Sequence, residues 1–186
     1  MHYFHYKDNN LFCEEVRVSD IVEKFGSPCY VYSYRTLMEH FKKLKSAFRE
    51  INPLICYSVK ANSNLSICKA LVDEGAGLDI VSGGELYRAL KVNTEPKKIV
   101  FSGVGKTDRE IKQAIKVGIL FFNVESEEEI ERIHELSIKL RRTVDVCLRV
   151  NPEVEPHTHQ HIKTAKKESK FGLSFQSAKM ILLNRM

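Results

Sequence analysis

The sequence predicts an α/β fold built around a parallel β-sheet. From residue 50 onward, short apolar segments alternate with amphipathic ones, which is typical of successive βα units. The strand candidates, such as Ile99–Phe101 and Val144–Leu148, are apolar on both sides, which indicates strands covered by helices on both faces. Five units fit the chain, whereas a closed barrel needs eight. An open doubly wound sheet is therefore compatible with the length, although no Gly-x-Gly-x-x-Gly follows the first strand to indicate dinucleotide binding.

A hairpin and a short helix are expected at the N-terminus. Residues 3–6 and 11–13 have strand character and flank the turn-forming residues Asp8-Asn9-Asn10. Ser19 is expected to cap a short helix that ends at Gly26.

A strand and a longer helix are predicted next. Pro28 precedes the expected strand Cys29–Tyr32, and Ser33 is placed to cap an amphipathic helix over about residues 34–49. The apolar face predicted for this helix consists of Leu37, Phe41, Leu44 and Phe48.

The remainder of the chain alternates regularly between strands and helices. Strands are predicted at residues 54–59, 77–82, 98–102, 119–124 and 143–150. Helices are predicted at residues 64–74, 84–91, 107–117 and 126–141, and from about Ser174 onward.

The composition is that of an ordinary globular protein. The 186 residues are 43% hydrophobic and 28% charged, and no apolar stretch is long enough to span a membrane. The first residues lack the order of a signal peptide. Cys29, Cys56 and Cys147 fall in apolar runs and are interpreted as core residues of a protein in a reducing compartment, which favours the cytoplasm. The net charge of +5 is spread over helical faces without interleaved aromatics, so nucleic-acid binding is not expected.

Lys60 is the most informative residue of the sequence. It ends the apolar run of the first predicted parallel strand, at the edge where α/β barrels carry their chemistry. A lysine that is desolvated there can lose its proton and form a Schiff base with a carbonyl compound. The alternative is a lysine that ends the strand and points into solvent.

Two further charged residues occur at or near strand ends. Asp79 lies inside an apolar strand, where a carboxylate is costly unless it is paired or hydrogen-bonded. Its partner could be Lys60 or a neighbouring backbone N–H. Arg149 ends the fifth parallel strand and suits a phosphate or carboxylate, or else an ion pair with Asp79 or Glu85.

Three weaker motifs have ordinary structural interpretations. Ser82 followed by Gly83-Gly84 is better explained as a helix start than as an anion site. The segment 102–107 resembles the tail of a phosphate loop without its full spacing, so we interpret it as a turn with Thr107 as helix cap. Three alternating histidines are too weak a pattern for us to expect a metal site: His157, His159 and His161.

An ordered set of segments connects the chain with a known family. These segments are Phe25–Ser33, Tyr57–Asn62, Asp79–Glu85, Ile99–Gly103, Asn123–Ser126, Leu148–Pro152 and Lys170–Gly172. Together they resemble the fold-type III pyridoxal-phosphate (PLP) decarboxylases, over roughly residues 26–173. The motif at residues 158–164 favours the diaminopimelate decarboxylase branch over the ornithine and arginine branches.

This resemblance implies a cofactor, a reaction and roles for three residues. Lys60 would hold PLP covalently, and Asp79 and Arg149 would lie near the cofactor and the lysine. The substrate would be a small amino acid, meso-2,6-diaminopimelate, which is decarboxylated to L-lysine and CO2. Its binding residues are not predicted. The complete enzyme would be a homodimer.

The same resemblance implies that the chain is an N-terminal portion. Family members carry further cofactor-binding residues on later strands and then a C-terminal β-domain, and the glycine expected after Thr164 is replaced by Ala165. Residues 34–186 would form part of a (β/α)8 TIM-type barrel of the alanine racemase-like class, about five βα units long. Residues 1–33 would form a hairpin segment that associates with the β-domain.

Such a portion is expected to be inactive alone. The alternatives are a non-catalytic single-barrel PLP-binding protein, a subunit that needs a separate C-terminal chain, or an ornithine or arginine decarboxylase.

Overall fold

The computed structural model describes residues 2–152 and 172–184. The chain divides into two compact units, Met1–Pro53 and Leu54–Met186. The division expected after residue 33 concerns the domains of a longer protein and stays a prediction.

The first unit contains a small antiparallel sheet and two helices. Its elements are β1 (Phe4–Lys7), β2 (Asn10–Cys13), β3 (Val16–Arg17), α1 (Val18–Phe25) and α2 (Tyr34–Ala47). The predicted hairpin is confirmed, with Phe4 opposite Cys13 and Lys7 opposite Asn10. Asp8 and Asn9 both have positive φ, as a two-residue hairpin turn matched to the strand twist requires.

Two local predictions for this unit are wrong. Helix α1 has Arg17 rather than Ser19 as its N-cap, and no side chain caps it. Residues 29–32 belong to neither sheet, and Tyr30 is 92% exposed. Their composition, with Val31 between two tyrosines, resembles a strand, but no strand of the described chain lies beside them to complete a ladder.

Helix α2 begins as predicted but buries a different face. The Ser33 hydroxyl accepts a hydrogen bond from the Thr36 backbone N–H. Met38 and Phe41 are buried, whereas Leu44 and Phe48 are each 46% exposed. The second half of the predicted apolar face is therefore not covered within this part of the structure.

The second unit contains a five-stranded parallel sheet with alternating helices. Its strands are β4 (Cys56–Ser58), β5 (Gly77–Ile80), β6 (Ile99–Phe101), β7 (Phe121–Val124) and β8 (Val146–Leu148). Its helices are α3 (Leu65–Asp73), α4 (Gly83–Lys91), α5 (Asp108–Val117), α6 (Glu127–Leu140) and α7 (Phe175–Asn184). The strands lie in chain order, and every neighbouring pair is parallel. This order lacks the reversal of a doubly wound sheet, so it supports the predicted barrel-type arrangement.

The core of this unit lies between the sheet and its helices. Phe101 and Phe122 stack with ring centroids 6.0 Å apart and are almost completely buried. Helices α4, α5 and α6 each cover the sheet with a stripe of buried aliphatic residues. Each fully buried large side chain contributes about 1.5–3 kcal/mol to folding.

The cysteines do not follow the sequence prediction. All five are free, and Cys29 and Cys147 are exposed rather than in the core. Cys147 lies on β8, an edge strand of the described sheet, and edge position explains its exposure. No helix of the described residues is long and apolar enough to cross a membrane.

Gly77 allows a close approach between strands at the start of β5. A Cβ atom at this position would lie 2.5 Å from the Lys98 carbonyl oxygen and 2.8 Å from the Cys56 sulfur. A Cβ atom at Gly105 would have no heavy atom within 4 Å, and the φ angle there is not positive. The two glycines therefore form a matched pair for substitution.

We expect Gly77→Ala to destabilise the protein by about 1–3 kcal/mol, because the backbone carbonyl cannot move without disturbing the sheet. Gly105→Ala should change stability by less than about 0.5 kcal/mol. Urea denaturation followed by circular dichroism measures both values. Equal effects of the two substitutions would contradict the close packing described at Gly77.

Candidate active site

Polar side chains line the carboxyl edge of the parallel sheet. Ser58, Asp79 and Asn123 lie on β4, β5 and β7, and Ser102 and Arg149 follow β6 and β8 directly. Parallel pairing brings these positions to one edge, and Ser58 is opposite Asp79 in the ladder. In α/β folds, ligands bind at the edge formed by the carboxyl ends of the strands.

Lys60 lies at this edge but not on the strand itself. Strand β4 ends at Ser58, and Lys60 is the middle residue of a 3-10 turn, Val59–Ala61, that the fully buried Val59 anchors. The Lys60 side chain is exposed. No hydrogen bond or ion pair joins its amine to another residue within 2–152 or 172–184. The desolvated state considered from the sequence is therefore not observed in the described chain, and the amine is accessible.

Asp79 is satisfied by hydroxyl groups, which neither sequence interpretation anticipated. The Ser58 hydroxyl donates to Oδ2 at 3.1 Å, and the Ser102 hydroxyl donates to Oδ1 at 2.5 Å. The Asn123 side-chain amide in turn donates to the Ser102 hydroxyl oxygen at 2.8 Å. A hydrogen-bonded chain thus crosses four neighbouring strand ends and fixes the orientation of the carboxylate.

Asp79 also affects the pKa of a neighbouring cysteine, Cys56, at the start of β4. Burial, and secondly the nearby negative charge of Asp79, raise the pKa of the Cys56 thiol. The thiol therefore stays protonated at neutral pH. Since the thiolate is the reactive form of cysteine, this raised pKa disfavours Cys56 as a nucleophile.

Arg149 pairs with Glu125, not with Asp79 or Glu85. Its guanidinium donates to the Glu125 carboxylate at 2.8 Å, with the arginine side chain 41% exposed and the glutamate 3% exposed. Glu85 instead accepts a hydrogen bond from the Val81 backbone N–H at 2.7 Å. The guanidinium is thus held by a buried carboxylate, in a side chain that is partly exposed as a whole.

Glu125 also binds the backbone of the segment around Gly172, which lies at this edge after β8. Its second carboxylate oxygen accepts a hydrogen bond from the Gly172 backbone N–H at 3.1 Å. Gly172 has φ of 78°, and a Cβ atom there would lie 2.9 Å from the Arg149 carbonyl oxygen, so this position requires glycine. Residues 150 and 173 form a parallel bridge beside it.

The remaining sequence motifs have the structural roles expected of them. The Ser82 hydroxyl accepts from the Glu85 N–H at the start of α4, and Thr107 caps α5 in a capping box with Glu110. The Gly83 N–H donates to the Glu110 carboxylate at 2.7 Å, so it serves the protein itself. The three alternating histidines and the motif at residues 158–164 lie outside the described residues.

Four residues of this edge were not predicted individually as site residues, although each lies in a segment that resembles the family: Ser58, Ser102, Asn123 and Glu125. Each occurs at the end of a correctly predicted strand, which is the signal that singled out Asp79 and Arg149. The sequence does not show their roles, because only the fold joins Ser58, Ser102 and Asn123 to Asp79 in one hydrogen-bonded chain. The pairing of Glu125 with Arg149 likewise depends on the fold.

Comparison with known proteins identifies the family. Residues 34–186 match the family described as "Pyridoxal-dependent decarboxylase, pyridoxal binding domain". The chain belongs to this family.

Curated relatives and solved structures agree with this assignment. The chain is 48% identical over 168 residues to a diaminopimelate decarboxylase of Neisseria meningitidis serogroup A, which covers 90% of the chain and 41% of the relative. The corresponding enzyme of Aquifex aeolicus is 45% identical over 95% of the chain and 41% of its own length. The chain therefore spans about two fifths of the length of these relatives.

The solved structure of diaminopimelate decarboxylase from M. jannaschii in complex with L-lysine superimposes with a TM-score of 0.88 at 38% identity, covering 98% of the chain and 44% of that structure. A lysine/ornithine decarboxylase from Vibrio vulnificus has a TM-score of 0.72 at 21% identity, which shows the shared fold alone. The resemblance inferred from the sequence and the predicted fold class are confirmed.

We expect Glu125→Gln to destabilise the protein by about 1–3 kcal/mol, because the substitution removes the buried negative charge that pairs with Arg149. Glu127→Gln, at the exposed start of α6, is the matched control and should cost less than about 0.5 kcal/mol. Thermal denaturation of both variants at pH 7 measures the difference. Indistinguishable melting temperatures would show that the Glu125 pair contributes nothing to stability.

Proposed function

We propose that this chain is the PLP-binding part of a diaminopimelate decarboxylase. The observation that carries the proposal is the accessible Lys60 amine at the carboxyl edge of the parallel sheet, in a chain that belongs to the pyridoxal-dependent decarboxylases. The relatives named as diaminopimelate decarboxylases, at 40–48% identity, support the choice of reaction.

The residues at this edge fit the cofactor. A primary amine is the group that combines with an aldehyde, and Lys60 is an exposed primary amine with neighbouring hydrogen-bonding groups on β4 and β5. Lys60 would hold PLP covalently, and Asp79 and Arg149 would lie beside it. When bound, PLP supplies an electron sink for the carbanion that loss of the substrate carboxylate leaves behind.

The protein's own groups prepare the site for this chemistry. The two hydroxyl donors keep the Asp79 carboxylate in one orientation, so both of its oxygens have fixed positions at the strand edge. Glu125 holds the Arg149 guanidinium at the end of β8 while leaving it partly exposed. A fixed guanidinium is suited to a carboxylate or phosphate, both of which occur among the expected ligands.

The substrate proposed is meso-2,6-diaminopimelate, with L-lysine and CO2 as products. The structure of the M. jannaschii enzyme contains L-lysine. The ornithine and arginine decarboxylases among the structural neighbours are only 20–21% identical and therefore support the fold but not the substrate. A homodimer of the complete protein, a cytoplasmic location and the absence of nucleic-acid binding are parts of the same proposal.

We expect borohydride reduction of the protein in the presence of PLP to attach a pyridoxyl group to Lys60, because this amine is accessible at the strand edge. Peptide mass spectrometry locates the label. Lys60→Ala should abolish the label, while Lys69→Ala, an exposed lysine on α3, should leave it unchanged. Predominant labelling of any other lysine would contradict the assignment of Lys60.

A chimera tests the reaction. The chain would be joined to the part of the N. meningitidis enzyme that lies beyond the aligned residues, and L-lysine formed from meso-2,6-diaminopimelate would be measured. We expect lysine from the chimera, none from its Lys60→Ala variant, and none from the 186-residue chain alone, which spans only 41% of the relative. A soluble chimera that binds PLP and decarboxylates ornithine or arginine instead would contradict the proposed substrate.

A further inference from the structure

A second lysine lies at the same edge, and its side chain is buried. Lys106 follows β6, and its side chain is 1% exposed. The ammonium donates to the Gly103 carbonyl at 2.8 Å, the Asn123 carbonyl at 2.7 Å and the Glu129 carboxylate at 2.5 Å. A lysine has three ammonium hydrogens, so these partners use all of them. Lys106 is therefore committed to the protein and is not free to bind a ligand, although its sequence context resembles the tail of a phosphate loop.

The partners of Lys106 lie next to the groups that orient Asp79. Gly103 adjoins Ser102, whose hydroxyl donates to Asp79. The Asn123 backbone carbonyl accepts a hydrogen bond from the Lys106 ammonium, and the Asn123 side chain donates to the same Ser102 hydroxyl. The ammonium thus fixes the backbone at both ends of the hydrogen bond between Asn123 and Ser102.

The carboxylate partner of Lys106 connects it to the end of β8, where Arg149 lies. Glu129 lies in the first turn of α6, and its other oxygen accepts a hydrogen bond from the Glu125 backbone N–H at 2.9 Å. The Glu125 side chain holds Arg149. One buried ion pair therefore connects the residues that orient Asp79 with the residue that orients Arg149.

We infer that the buried Lys106–Glu129 ion pair is a positioning element of the site, which sets the geometry of Asp79 and Arg149 together. Both residues bind other groups of the protein, so the role inferred for them is exerted through Asp79 and Arg149. The inference rests on the proposed function for its consequence, since Asp79 and Arg149 are the expected neighbours of PLP. The geometry of the ion pair itself does not depend on that function.

The test requires a variant that still folds. Removing one partner leaves a buried charge without compensation, whereas a neutral pair of similar size avoids that cost. The variant of choice is Lys106→Met with Glu129→Gln, because glutamine can still accept the hydrogen bond from Glu125. The matched control is Asp108→Asn with Arg132→Met, since this exposed ion pair joins the first residue of α5 to α6 close to the buried pair in the chain.

The first measurement is amide hydrogen exchange of the protein without cofactor. In the Lys106/Glu129 variant, peptides covering residues 102–106 and 123–126 should exchange about tenfold faster or more, while peptides from α3 should not change. The control variant should leave both regions unchanged. Unchanged exchange at residues 102–106 and 123–126 would overturn the inference, whether or not the protein binds PLP.

The second measurement is a titration with PLP followed by the absorbance of the bound cofactor and its pH dependence. The Lys106/Glu129 variant should bind PLP about tenfold more weakly with a displaced pH profile, and the control variant within about twofold of the original protein. In a Ser102→Ala background the effect of the pair on affinity should shrink, because the pair acts partly through that hydroxyl.

The outcomes separate the inference from the proposed function. If the variant loses thermal stability but keeps the original affinity and pH profile for PLP, the ion pair is only structural and the inference fails. If neither the chain nor the chimera with the N. meningitidis enzyme binds PLP, the proposed function fails, and hydrogen exchange alone decides whether the pair positions the edge.

Discussion

The parallel pairing of five strands in chain order is the constraint on which the site depends. Because all of these strands run in the same direction, their carboxyl ends meet at one edge, although residues 58 and 149 are far apart in the chain. The order without reversal places each strand end beside the next one. Hydrogen bonds can then pass from Ser58 to Asp79, Ser102 and Asn123 without any loop having to bring these residues together.

The buried and half-buried carboxylates at this edge are tolerated because each has specific partners. A half-buried Asp79 has two hydroxyl donors, and the buried carboxylate of Glu125 has a guanidinium and a backbone N–H. Burying such groups without partners would cost several kcal/mol each. The satisfied network is also rigid, since moving one member leaves its neighbour unpaired. This rigidity is what a site needs if it is to hold a cofactor and its lysine in fixed positions.

The two lysines at the edge have opposite environments, and this contrast is the basis of the different roles proposed for them. Lys106 is buried and fully hydrogen-bonded, so its charge serves the protein itself. Lys60 is exposed on a short turn and directly follows the buried Val59, so its amine is accessible from solvent. The family match places the described edge in a pyridoxal binding domain of the pyridoxal-dependent decarboxylase family. The contributions of Asp79 and Arg149 to cofactor binding remain proposals.

The sequence by itself determined the class of fold, the order of the elements and the position of Lys60, because apolar periodicity and helix caps such as Ser33 and Thr107 are local properties. It also carried the motifs of the family. Only the tertiary structure decided the partners of Asp79 and Arg149 and the exposure of Cys29 and Cys147. These depend on contacts between residues distant in the chain, and a local pattern contains no information about which strand ends become neighbours. Burial in particular is set by the elements that cover a residue, not by the polarity of the residues beside it in the sequence.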